Sequence, residues 1–106
     1  MPDEKDIEQY KALAQQYQLI EMELQKADLQ VKEISSSLDE LEKSDGKTYL
    51  AIGRILIEKS KEDIKKELEE QKSKIEKRLE TLKVQKQKVE KKLKELEAKL
   101  SGKSEE

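Results

Sequence analysis

Residues 47–59 read Lys47-Thr48-Tyr49-Leu50-Ala51-Ile52-Gly53-Arg54-Ile55-Leu56-Ile57-Glu58-Lys59 and break the rhythm of the sequence on either side of them. Thr48, Tyr49, Ile52, Ile55 and Ile57 are β-branched or aromatic, the side chains that suit a pleated surface. Gly53-Arg54 supplies the Gly-X pair of a two-residue hairpin turn. Two short strands are therefore expected, at about 47–52 and 55–59. On the first, Leu50 and Ile52 would point one way and Tyr49 and Ala51 the other, while Ile55, Leu56 and Ile57 leave the second without a polar face. A two-stranded hairpin alone is marginal in water, and an apolar one needs cover. Tyr49, Leu50, Ile52, Gly53, Ile55, Leu56 and Ile57 are thus the expected oligomerisation residues, buried between subunits with strand edges paired to neighbours. A plain helix-to-helix connector of about 2–8 residues would be shorter and would have no reason to be apolar.

Upstream, apolar residues recur at spacings of three and four. Tyr10, Tyr17, Leu24, Val31 and Leu38 occupy one core position of a heptad, and Leu13, Ile20, Ala27, Ile34 and Leu41 the other. A repeat kept this long predicts a coiled-coil helix, over residues 3–44. Pro2 and Asp3 suit its start, and Ser44, Asp45 and Gly46 its stop. Downstream, Leu68, Ile75, Leu82, Val89 and Leu96 form one series, and Leu79, Leu93 and Leu100 a second that Lys72 and Lys86 interrupt. Those lysines are expected to lay their methylenes over the seam and lift the ammonium to water. This second helix is expected over 61–101, with Ser60 and Asp63 as a capping pair. Glu62–Lys66, Glu70–Lys74, Glu90–Lys94 and Glu95–Lys99 are i,i+4 pairs in the favourable order, each contributing about 0.2–0.5 kcal/mol. Helices of this length would run roughly 60 Å at about 1.5 Å per residue. Neither can bury its stripe alone, so each must pair with the other or with another chain.

The composition closes off other classes. Of 106 residues 45% are charged and only 33% hydrophobic, too few for an ordinary globular core. Cysteine and histidine are absent, which removes disulfides, thiolate zinc sites and the commonest general base. With no Gly-rich phosphate loop and carboxylates scattered over helix faces, no enzyme, no metal site and no cofactor are expected. A net charge of −2 argues against a nucleic-acid partner. Lys83, Lys86, Lys88, Lys91, Lys92 and Lys94 make a locally basic stretch, but interleaved glutamates mark it as a solvated helix face. The acidic, polar first ten residues and the lack of any long uncharged apolar run predict a cytoplasmic protein with no membrane partner.

Residues 49–64, Tyr-Leu-Ala-Ile-Gly-Arg-Ile-Leu-Ile-Glu-Lys-Ser-Lys-Glu-Asp-Ile, are similar to the hairpin of β-type prefoldin subunits: an apolar strand, a glycine turn, an Ile/Leu strand and a Ser-Lys-Glu helix start. The helix, single hairpin, helix order of residues 7–100 resembles the same family, whose α-type subunits carry two hairpins. The resemblance implies a mainly α fold: one domain over 1–106, a long antiparallel coiled-coil helical hairpin whose single β-hairpin, at 47–59, assembles into an intersubunit β-barrel. It implies a hexamer with α-type prefoldin subunits, or copies of this chain, as partners. The implied function is that of an ATP-independent molecular chaperone, a holdase that captures unfolded client proteins at coiled-coil tips and delivers them to a group II cytosolic chaperonin. On this sequence the tips carry Ile7, Tyr10, Leu13, Leu93, Leu96 and Leu100, the expected client-binding residues. Burial of each large side chain would contribute about 1.5–3 kcal/mol.

The same tip residues continue the heptad seams and can equally be core at rest. An alternative that rests on the heptads alone is a non-chaperone coiled-coil scaffold or spacer. A helical hairpin that binds nucleic acid rests only on the lysines of 83–94.

Overall fold

The structure, a computed structural model, describes residues 4–102. Its elements run α1 (Glu4–Lys43), β1 (Tyr49–Ile52), β2 (Ile55–Glu58) and α2 (Lys61–Ser101). The mainly α, helix–hairpin–helix architecture expected from the sequence is the one observed. The helix start expected at Pro2 and Asp3 lies outside the described residues.

Local chemistry sets the helix boundaries. The α1 helix closes with a tightened turn in which the Ser44 amide donates to the Leu41 carbonyl at 3.2 Å and the Ser44 hydroxyl to the same oxygen at 2.7 Å. Gly46, at φ +87°, then turns the chain through the left-handed region that glycine tolerates. Carbonyls left over at the end of a helix need donors. The Lys61 ammonium supplies them, reaching the Glu42 carbonyl at 2.9 Å and that of Ser44 at 3.3 Å. The α2 helix opens on the expected cap: the Asp63 amide donates to the Ser60 hydroxyl oxygen at 3.1 Å. Glu4 and Asp6 in the first turn of α1, Glu62 and Asp63 in that of α2, and Lys43 and Lys99 in the last turns oppose the helix dipoles favourably.

The chain divides into two compact units. The first holds residues 4–26 and 79–102. Here the seams meet as read: Leu13, Ile20, Leu82, Val89 and Leu96 form a buried cluster, with Tyr10, Tyr17, Leu24 and Leu93 packed against it. The second holds Ala27–Arg78, in which Ala27 and Ile64 are buried. Val31, Ile34, Leu38, Leu41, Leu68 and Ile75 are half-buried there.

The two strands form an antiparallel hairpin in the register Tyr49↔Glu58, Leu50↔Ile57, Ala51↔Leu56, Ile52↔Ile55. At its open end the Lys59 amide donates to the Thr48 carbonyl at 3.1 Å and the Thr48 hydroxyl to the Lys59 carbonyl at 2.6 Å. The Lys59 ammonium also meets Glu67 of α2 at 2.8 Å, tying the strand exit to the helix.

Candidate functional site

Two groups of residues carry chemistry beyond helix formation, one on the hairpin and one at the helix ends of the first unit. On the hairpin, Gly53 has φ +58°, and among the described residues no residue other than glycine has positive φ. A two-residue loop with only its first residue in that region is a type II′ turn, whose twist suits a hairpin. Residues opposite one another on antiparallel strands share a face. Leu50, Ile52, Ile55 and Ile57 therefore lie on one face, and Tyr49, Ala51, Leu56 and Glu58 on the other. The second face is less apolar than the sequence led one to expect, because Glu58 stands opposite Tyr49 and pairs with Lys47 at 3.6 Å.

Little of this apolar surface is covered within the chain. Leu56 is 70% exposed and Ile55 63%, with Tyr49 and Ile52 about half exposed. Leu50 is half-buried, and Leu50, Ala51 and Ile52 border a shallow hollow shared with Glu67, Glu70, Gln71 and Lys74 of α2. In a two-stranded sheet each strand also keeps one edge of unpaired backbone groups. All seven residues expected to mediate assembly thus stand together on one small element.

The six residues expected to meet clients are placed unevenly. Leu13 and Leu96 are buried, each only 9% exposed, with Tyr10 and Leu93 packed against their cluster. Ile7 is 42% exposed and Leu100 half-buried.

A set of polar contacts between α1 and α2 in this unit was not legible from the heptads. The Lys99 ammonium meets both oxygens of Asp6, at 3.2 and 3.3 Å. The Tyr10 hydroxyl donates to Glu97 at 3.0 Å, and the Tyr17 hydroxyl to Glu90 at 3.3 Å. Lys86 pairs with Glu21, its ammonium 5.8 Å from the centre of the Tyr17 ring. As numbers rise along α1 they fall along α2, so the helices of this unit run antiparallel. The Lys86 ammonium is therefore not lifted to water as the sequence led one to expect, because Glu21 and the Tyr17 face lie within its reach. Lys99, matched on sequence to Glu95, reaches across to Asp6, while the expected Glu90–Lys94 pair stands at 3.8 Å.

These contacts set the ionisation of their groups. A hydrogen bond to Glu97, together with that carboxylate's charge, raises the Tyr10 hydroxyl above its ordinary value. Burial raises that of Tyr17 even though the Lys86 charge opposes it. The hydrogen bond from Lys86 holds Glu21 below the usual carboxylate range, and the same bond raises Lys86. In the second unit, Glu42 and Lys65, 3.0 Å apart, shift one another likewise, the carboxylate down and the ammonium up.

Among the described residues no helix is long and apolar enough to cross a membrane. A family model described as prefoldin subunit matches residues 4–106. Among solved structures, the chain is similar to the prefoldin beta subunit from Thermococcus strain KS-1, with 32% identity and a TM-score of 0.83 over 92% of this chain and 88% of that one. No curated protein matches.

Proposed function

The chain belongs to the prefoldin subunit family, and from that premise we propose that it is an ATP-independent holdase subunit. In this reading residues 1–106 act as one domain in the cytoplasm. The hairpin residues Tyr49, Leu50, Ile52, Gly53, Ile55, Leu56 and Ile57 join those of α-type subunits, of further copies, or of both, into a hexamer with an intersubunit β-barrel. The helix ends bearing Ile7, Tyr10, Leu13, Leu93, Leu96 and Leu100 hold unfolded protein and pass it to a group II chaperonin. No catalytic step is involved.

The observation that carries this reading is the uncovered hairpin, with Leu56 and Ile55 among the most exposed large apolar residues of the chain. Apolar side chains left in water on a marginal two-stranded element find stability when several copies bury them together. Capture of clients by apolar contact then needs no nucleotide, since the hydrophobic effect supplies the affinity.

The test is suppression of aggregation by the assembled complex, with and without nucleotide, followed by removal of residues 1–13 and 93–106. A holdase protects several unrelated unfolded clients at stoichiometric amounts without nucleotide. Once truncated it keeps its oligomer and loses protection. A scaffold would offer no protection in either form.

A further inference from the structure

We propose that the Asp6–Lys99 and Tyr10–Glu97 contacts form an autoinhibitory latch that closes the helix ends over Leu13 and Leu96 and must open before a client reaches them. The inference rests on the client-capture reading above and adds a regulation to it. Its first support is burial: at 9% exposure Leu13 and Leu96 have almost no surface to offer, and Tyr10 and Leu93 lie against their cluster. A closed pair of helix ends is therefore a poor client site even though it is built from the right side chains.

The second support is the grading of the cross-helix contacts along this unit. Of the two outer ones, the Tyr10–Glu97 hydrogen bond lies at the surface, and in Asp6–Lys99 the ammonium-bearing side chain is 60% exposed while the Asp6 side chain is 14% exposed. Neither inner contact has a partner as open as Lys99: Tyr17–Glu90 is partly buried, and Glu21 and Lys86 are each 32% exposed. Exposed polar links are weak and easily exchanged for water, whereas sheltered ones resist. Opening should therefore start at the first turns of α1 and the last turns of α2, where backbone hydrogen bonds are also fewest, and should stop near Tyr17. Such an opening uncovers Tyr10, Leu13, Leu93 and Leu96 together and leaves Ile20, Leu82 and Val89 packed.

The experiment uses the full chain in its assembled complex, carrying Tyr10→Phe, Lys99→Gln or both, with Lys99→Arg as the conservative rescue. Tyr10→Phe keeps the ring and removes only the hydroxyl. Two quantities are read: amide hydrogen exchange over residues 6–13 and 93–100, and the dissociation constant for a fluorescent, carboxymethylated unfolded globular protein. Faster exchange and binding about two- to fivefold tighter are expected for Tyr10→Phe and Lys99→Gln, the range that one weak exposed contact allows, with Lys99→Arg close to wild type. Faster exchange with binding unchanged or weaker would overturn the inhibition, and unchanged exchange would overturn the latch. Absence of client binding by the wild-type complex would instead remove the client-capture reading and any inhibition with it, while exchange still reports whether these links hold the ends.

Discussion

The hairpin and the helix pair of the first unit solve the same problem, too little apolar material for a globular core, in opposite ways. In the helix pair Tyr10, Leu13, Tyr17, Ile20, Leu24, Leu82, Val89, Leu93 and Leu96 pack together inside the chain, and Leu82, at 3% exposure, is as dry as any residue described. The hairpin is also rich in Leu and Ile but has only one neighbour for each strand, and apart from half-buried Leu50 its apolar side chains are exposed. A seam on a helix needs one opposing stripe, which the same chain supplies after a reversal. A hairpin needs a covering layer, which a 106-residue chain with 45% charged residues cannot spare. The contrast separates a part covered from within from a part whose apolar side chains the chain itself leaves largely uncovered.

The largest effect should come from introducing charge on the aliphatic face of the hairpin. Ile55→Asp combined with Ile57→Asp removes two side chains whose burial contributes about 1.5–3 kcal/mol each, so subunit dissociation should rise by at least about 100-fold. Sedimentation velocity should then show the complex lost while far-UV circular dichroism keeps its helical signal. If helicity falls as well, the helix pair is not self-sufficient and the contrast fails. Next in size is Leu82→Ala, in the middle of the buried cluster. A cavity at such a position costs about 2–5 kcal/mol, seen as a lower melting temperature of the helices. Assembly at a temperature below the melt should be unaffected.

Smaller still is Gly53→Ala. Nothing lies within 4 Å of an added Cβ, so the cost is that of holding a side-chain-bearing residue at φ +58°, about 1–2 kcal/mol. It should weaken assembly by roughly tenfold and leave helix melting as it was. The turn was legible because only glycine suits the first position of a II′ turn, and the strands because β-branched residues crowd around it. Their bounds were less so: Thr48 and Lys59 bond across the open end yet lie outside the strands. The seams told which face of each helix is buried and nothing of which residue lies opposite. Which residues face one another depends on the register of the two helices, and no heptad records it. Pairing Tyr17 with Lys86 across the fold was the signal available, an aromatic face opposite the cation that interrupts the second seam.

The smallest effect tests whether those cross-helix pairs matter to the self-contained part. Glu21 is held below the usual carboxylate range, chiefly by the hydrogen bond from Lys86. A carboxylate depressed in the folded state adds stability that is complete above its unfolded value, near pH 4, and disappears as pH falls through the lower folded value. Lys86 is raised by the same bond, so its share is complete below the ordinary lysine range and is lost only as pH rises through the higher folded value. Between these limits the pair is intact, with Tyr17 and Glu90 beside it. Glu21→Gln should therefore lower the melting temperature slightly at neutral pH, and the difference from wild type should close as pH drops below about 4. If it persists undiminished in acid, the side chain stabilises through packing rather than charge. The helix pair would then owe its closure to apolar contact alone.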